Sequence, residues 1–433
     1  MFQKSFAKSK PLWAILIVAL LLSTLSGTAF IVTQSRDSEI MSLTELKTNF
    51  GGTVGCSVFQ LADGSFVLNT VNKSSTFIVK LDSSFNPLWT KTIKIGQENT
   101  ILQRFLPTSD GGFVLGGVIN NNYVLVKTDS QGNIQWIHTF NSDAPINYLR
   151  AIIQTSDGGF AIAGFGEPVE EGLGWIWFAK TDSSGNTEWN KTFAGPVSDC
   201  PSAIIQTSDG GFIMSDVSYS FVPDQGFFRL IKMDVNGNVL WNTTYGGQTN
   251  YLKPECNLAV ATKDGGYMLA GYLWDTSAWV VKTDGNGNMQ WNQTYGAEGS
   301  SITGILENQN SYLLLSITNK RDAGLRLIDA EGKELWNTTF QGVSLPIGFE
   351  ANFHSIIQAT NGDYILAGSK NESVWLAKLN LQNKQSTILQ LLPFAVAMVS
   401  VVVVVTTLSM VIQRKATHKT VDLLKQVSLT IPP

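Results

Sequence analysis

The chain has 433 residues, of which 43% are hydrophobic, only 15% are charged and 39 are glycine. That apolar content excludes a disordered chain, and 30 basic against 34 acidic residues exclude a nucleic-acid binder, which must neutralise phosphates. Three cysteines, none in a CxxC pair, exclude a disulfide-framed miniprotein, a zinc ribbon and a thioredoxin-like site.

In chain order, the basic residues 1–11, with Lys4, Lys8 and Lys10, precede an uncharged stretch over 12–33, LWAILIVALLLSTLSGTAFIVT. A stretch of this length spans a bilayer. The alternative reading is a signal peptide, with Gly27-Thr28-Ala29 as a small-residue cleavage site; either way the following segment is exported. A second uncharged run over 388–412 is followed by Arg414, Lys415 and Lys419 in the tail 413–433. Basic flanks stay cytoplasmic, so the sequence predicts a cell-membrane protein with both termini inside and residues 34–387 outside. Each end carries a charge of +3, which leaves −10 of the overall −4 for the exported part.

Between these runs lies a repeat with a period of about fifty residues, within the range of propeller blades. An aromatic follows a Gly-rich turn at Phe66, Phe113, Phe160, Phe212, Tyr267, Tyr312 and Tyr364. A Lys recurs at Lys80, Lys127, Lys180, Lys232, Lys282 and Lys378, with Leu327 in its place in copy six, and a Trp at Trp89, Trp136, Trp189, Trp241, Trp291 and Trp336. Each copy holds four short β-type runs. Asp-Gly-Gly separates the first two, and an Asp-x-x-Gly-Asn turn, as in Asp182 to Asn186, separates the last two. Gly and Asn tolerate the positive φ of tight hairpins, so four antiparallel strands per copy are expected, with the Trp packed between neighbouring blades. Copy seven stops at Leu379-Asn380 without a last strand. Residues 44–52 (TELKTNFGG) align without gaps on 187–195 (TEWNKTFAG), with Leu46 at the Trp place. The fold predicted is therefore an all-β, seven-bladed propeller over about 44–380, closed by its N-terminal strand and flanked by two transmembrane helices.

From the Lys position to the Trp the spacing is nine residues in all six copies that have the Trp. From the aromatic to the Lys position it is 14 or 15 residues in five copies but 20 in copies three and four. In an up-and-down blade the strand two-to-three loop and the blade-to-blade loop share a face, so one face varies while the other is constant. Both tethers are expected to leave from the constant face, with the variable face turned away from the membrane. Variable loops on a rigid scaffold are where binding sites lie. The candidate surface is built from Phe165, Glu167, Glu170, Glu171 and Trp175 of copy three with Tyr219, Phe221, Asp224 and Phe227 of copy four. Aromatics with carboxylates stack on and hydrogen-bond sugars or coordinate a cation; the plainer alternative is decorated loops with a small local cluster.

Only His138, His354 and His418 are histidines, and no HExxH, GxSxG or Walker loop is present. No catalytic residue, metal site or cofactor is predicted. The Asp-containing turns lack the downstream Glu of a calcium loop and are read as turn chemistry. The recurrent Lys is read as a solvated strand residue. Cys56, Cys200 and Cys256 are placed just before the first strand of their copies; Cys200 and Cys256 belong to adjacent blades, so a disulfide and free buried thiols are both open readings. Sequons stand at Asn72, Asn190, Asn242, Asn292, Asn337 and Asn371, four of them as Trp-Asn-x-Thr, and are candidate glycan sites of an exported glycoprotein.

The copies, notably 327–336 (LIDAEGKELW), resemble the quinoprotein-like, or PQQ-like, β-propeller repeat family of the kind found in uncharacterised archaeal surface proteins. The resemblance covers about 44–380 and implies the propeller. The chain departs from the quinoprotein enzymes in a shorter Asp-to-Trp spacing and in lacking a vicinal Cys-Cys, so no cofactor-binding residue carries over. The function expected is a membrane-anchored extracellular binding or scaffold module, for a glycan or another envelope protein. The alternatives are a propeller-class enzyme, either a glycosidase-like hydrolase or a PQQ oxidoreductase, and an adhesion or surface-lattice component.

Overall fold

The computed structural model describes residues 41–48 and 54–381, apart from 73–74, 97–101, 142–143, 168–173, 195–198, 223–224, 247–253, 274–276, 346–354 and 372. The uncharged runs 12–33 and 388–412 lie outside the described residues, among which no helix is long and apolar enough to cross a membrane.

The chain opens with β1 (Met41–Thr48). Blade 1 is β2 (Val54–Gln60), β3 (Phe66–Val71), β4 (Thr76–Leu81) and β5 (Pro87–Ile93). Blade 2 is β6 (Arg104–Pro107), β7 (Phe113–Ile119), β8 (Asn122–Thr128) and β9 (Ile134–Phe140). Blade 3 is β10 (Ile146–Gln154), β11 (Phe160–Glu167), β12 (Trp175–Thr181) and β13 (Thr187–Ala194). Blade 4 is β14 (Asp199–Gln206), β15 (Phe212–Val222), β16 (Gln225–Met233) and β17 (Val239–Tyr245). Blade 5 is β18 (Pro254–Ala261), β19 (Tyr267–Leu273), β20 (Ala278–Thr283) and β21 (Met289–Tyr295). Blade 6 is β22 (Ser301–Asn308), β23 (Ser311–Ile317), β24 (Ala323–Asp329) and β25 (Glu334–Phe340). Blade 7 is β26 (Ile356–Gln358), β27 (Tyr364–Lys370) and β28 (Ser373–Leu381), completed by β1 in the order β1-β28-β27-β26. The seven-bladed propeller and its closure by the N-terminal strand are thus as expected, although β1 starts three residues before Thr44 and is described only to Thr48.

Burial follows from radial stacking. The middle strands, covered by blades on both faces, are nearly all buried, as in Phe66–Val71 and Ala278–Thr283. The outermost strands alternate, with exposed residues between half-buried ones, as in Pro87–Ile93 and Ile134–Phe140. The core is shared across each junction. One cluster joins Val58, Phe66, Leu68 and Val79 of blade 1 to Ile365, Ala367, Val374 and Leu376 of blade 7, so the core is continuous across the closing seam.

The Trp of the outermost strand in blades 1 to 6 explains the glycine of the following blade's last turn where one is present. Trp89, Trp136 and Trp189 lie edge-on to Phe113, Phe160 and Phe212 of the next blade. A Cβ on Gly185, Gly237, Gly287 or Gly332 would come within 2.7–2.9 Å of a side-chain atom there, and Trp136, Trp189, Trp241 and Trp291 line these four sites. These glycines also take positive φ of 74–85°. Between the inner strands, Gln154 accepts from Ser109 N and Gln206 from Ser156 N, both at 2.8 Å. The seam repeats this bond, with Gln60 accepting from Thr360 N at 2.7 Å.

Candidate ligand-binding face

The two ends of the ring are chemically distinct. On the hairpin-turn face, the recurrent Lys of each third strand reaches the Asp of the turn between the first two strands. The pairs are Lys80–Asp63, Lys127–Asp110, Lys180–Asp157, Lys232–Asp209, Lys282–Asp264 and Lys378–Asp363, at 2.6–2.9 Å. Reading these lysines as solvated is corrected: Lys127, Lys180, Lys232 and Lys282 are buried. A β-strand places residues 15–23 apart in sequence side by side once the hairpin closes, and the stem of the Lys packs while its head meets the carboxylate. Copy six loses both partners together, with Leu327 for Lys and Gln309 at the Asp place. Burial opposes ionisation of Asp110, Asp157 and Asp264, yet hydrogen bonds from the Lys, a Thr and a glycine amide hold each carboxyl down to about 2. The outer turn aspartates, such as Asp182, accept from Asn186 Nδ2 and from the amides of Ser184 and Asn186, which is the turn chemistry expected.

The loop face holds the residues predicted as a binding surface. In blade 3, Glu167 and Trp175 are half-buried at the facing ends of β11 and β12, while Phe165 is buried and stacks on Tyr148 at 6.3 Å. Glu170 and Glu171 lie outside the described residues, as does Asp224. In blade 4 the extra length extends the hairpin rather than forming a free loop. β15 runs to Val222 and β16 starts at Gln225, which pair with each other, so Tyr219 and Phe221 stand in a strand. Phe227 is buried opposite Ser218 and is no part of an exposed surface.

Cys200 and Cys256 carry free thiols, so the disulfide reading is not met. All three cysteines lie within first strands, not before them. Cys256 stands one residue before the β-bulge residue of β18 and Cys200 two before that of β14, which sends the side chains to opposite sides of equivalent strands. Burial pushes the Cys256 thiol up to about 12, which keeps it unreactive. The bulge residues Arg150, Ser202 and Thr303 of the first strands are polar, and Arg150 Nε donates across the junction to Pro201 O at 3.2 Å. Among the sequons, Asn190, Asn242, Asn292 and Asn337 are exposed on the outermost strands of blades 3 to 6, Asn371 is exposed in a turn and Asn72 is half-buried.

In the stem of blade 4's lengthened hairpin lies a buried ionic cluster that the sequence reading missed. Arg229 Nε on β16 donates to Asp216 Oδ1 on β15 at 2.9 Å, and its Nη2 donates to Asp216 and, at 2.9 Å, to Asp199 on β14. Ser218 Oγ donates to Asp199 Oδ1 at 2.7 Å, and Asp199 N to Gly174 O of blade 3 at 3.5 Å, which ties the cluster to the neighbouring blade. All three charged residues are buried. Burial, with like charge from Asp199, pushes the Asp216 carboxyl up to about 6 despite the Arg229 clamp.

A signal for this cluster was present in the repeat. Asp216 pairs across the hairpin with Arg229, where the other blades pair Gly164 with Trp177, Gly271 with Trp279, Gly368 with Trp375, Gly117 with Val124, Thr70 with Phe77 and Ser316 with Gly324. The column is small against apolar elsewhere, and blade 4 alone among the seven places a charged pair in it.

No protein-family model matches the chain, and no curated protein matches it in sequence. Solved structures do match. A streptogramin B lyase is similar at 13% identity and a TM-score of 0.51, over 78% of this chain and 98% of the lyase. A quinoprotein alcohol dehydrogenase-like protein from Bacteroides thetaiotaomicron matches at 10% identity and a TM-score of 0.42, over 66% of each chain. A protein of unknown function from Bacteroides caccae matches at 13% identity and 0.41, over 61% of this chain and 90% of that one. The likeness to the lyase shows a shared fold and nothing of its chemistry.

Proposed function

We propose that the chain is a membrane-anchored extracellular β-propeller of the PQQ-like repeat class, acting as a binding module. Its ligand is a glycan or another envelope protein, taken on the loop face of blades 3 and 4. The observation that carries this reading is the Asp199–Asp216–Arg229 cluster in the stem of blade 4's lengthened hairpin, tied to blade 3 at Gly174. A buried ion pair contributes little net stability over well-packed apolar groups, and none of the sister blades places a charge at the same position. The departure is therefore assigned to the surface that it supports. The exposed sequons of blades 3 to 6 are proposed as glycan carriers around the outer wall.

Binding of the full chain in detergent to a glycan array, and to isolated envelope proteins, tests the proposal. A variant with residues 168–173 deleted restores the spacing of blade 2, and retains the seven-bladed frame. Specific binding that the deletion abolishes supports the reading; binding unchanged by it, or none to either class, overturns it. Protease treatment of intact cells tests the topology, because an exported ring is cleaved or shed and an internal one is protected.

A further inference from the structure

Three departures from the repeat converge on the closing seam. First, the Trp that ends every complete blade is Leu46 in β1. Second, the glycine that faces that Trp in the next blade is Phe85, held at a φ of 66° and stacked on Phe66 at 4.7 Å and 21°. Third, the turn of blade 7 reads Asn361-Gly362-Asp363, so its Asp occupies the place of the second glycine of Asp-Gly-Gly. The shift by two residues inverts the ion pair. In the five sister pairs the Asp side chain is 51–61% exposed and the Lys 2–19%; here Asp363 is 7% exposed and Lys378 38%. Asp363 is held from below, accepting from Asn380 Nδ2 at 2.7 Å and Asn361 Nδ2 at 2.8 Å.

Between blades 7 and 1 lies a half-open cleft of about 190 Å³ on the hairpin-turn face, with Phe85 and Ile365 at its floor and Thr360, Asn361 and the Asp363–Lys378 pair in its wall. An engineered apolar cavity of about 150 Å³ accepts benzene, so the cleft has room for one aromatic ring with a small substituent. An ammonium has three N–H donors, of which Asp363 Oδ2 takes one at 2.8 Å.

We propose that the seam cleft is a binding site for a small planar aromatic anion. The ring lies in the cleft beside Phe85, and the carboxylate or equivalent anionic group meets the Lys378 ammonium. A bound ring would bridge the first and last blades where a Trp bridges the other junctions. The site is on the face opposite the lengthened hairpins and is independent of the glycan or protein reading.

The test is ¹⁹F NMR line broadening of 4-fluorobenzoate with the full chain in detergent micelles. Saturable binding is expected, at least about tenfold tighter than for 4-fluorobenzylamine, and Lys378→Met is expected to weaken it at least about tenfold, as loss of a charged hydrogen bond implies. Leu46→Trp combined with Phe85→Gly rebuilds the regular junction and is expected to abolish binding. Lys232→Met, which removes the equivalent Lys of blade 4, should leave it unchanged. Absence of saturable binding, equal binding of the amine, or persistence in the rebuilt-junction variant overturns the proposal. If Lys378→Met does not fold, the acid-to-amine comparison and the rebuilt junction still decide.

Discussion

Blade 4 can be rebuilt with the solution used by blade 3, and the outcome separates structure from function at the ionic cluster. Asn147, Gly164 and Trp177 occupy in blade 3 the places of Asp199, Asp216 and Arg229. In blade 3, Asn147 is buried and donates to Ala144 O at 3.1 Å, while Trp177 stacks on Tyr123 at 4.8 Å. Asp216→Gly alone removes both Nε bonds of Arg229 and one Nη2 bond, leaving the buried guanidinium to Asp199. Breaking one side of a buried pair costs about 3–5 kcal/mol. The triple variant Asp199→Asn, Asp216→Gly, Arg229→Trp removes every charge and fills the space with a ring. It is expected to be as stable as the parent or up to about 4 kcal/mol more stable. The pH dependence follows from the Asp216 carboxyl being raised to about 6. The penalty for ionising it is absent below the ordinary carboxylate range and complete above about 6, so the advantage of the triple variant grows as pH rises from 4 to 7. Urea unfolding of the full chain in detergent, followed by Trp fluorescence and near-UV CD, measures both. A triple variant as unstable as Asp216→Gly would refute the argument, because it would make the ion cluster structural. A stable triple variant that has lost glycan or protein binding places the cluster's role on the loop face.

The turn-face pairs are asymmetric under mutation. Asp264→Ala strands the Lys282 ammonium, 2% exposed, with Thr283 O and Gln290 Oε1, at a cost of about 1–3 kcal/mol, whereas Lys282→Met leaves an Asp264 that is half in water and costs less; chemical denaturation of both variants decides. Because Asp63, Asp110, Asp157 and Asp264 are lowered to about 2, their contribution is complete above the ordinary carboxylate range and is lost as pH falls from about 4 to 2; a melting temperature that is flat across that window would contradict these pairs. Gly237→Ala places a Cβ 2.8 Å from Trp189 at a φ of 74°, and the left-handed backbone alone costs about 1–2 kcal/mol; unchanged stability in urea would argue against Trp189 as the junction wedge.

What the residues alone determine is periodic. Strand count, hairpin turns, the seventh blade and its completion by 44–52 follow from local turn chemistry and from columns of aromatic, Lys and Trp that recur at fixed spacing. These are short-range or repeated signals, and each copy checks the others. The wedge role of the Trp was legible for the same reason, since a half-apolar edge strand has only the next blade to pack against. The Lys–Asp pairs were not, although their joint loss in copy six at Leu327 and Gln309 was visible. Pairing of residues 15–23 apart depends on register, and register is decided when the hairpin closes. The Asp216–Arg229 pair was likewise missed because a charged pair shows as one only when residues 216 and 229 are known to face each other across β15 and β16. Burial and contact between blades are properties of the closed ring. Thus the Phe227 side chain, read as surface, is buried. The free state of Cys200 and Cys256 and the reach of blade 4's long hairpin are decided by β-bulge position and strand pairing, and the cleft beside Phe85 and Lys378 exists only where the two ends of the repeat meet.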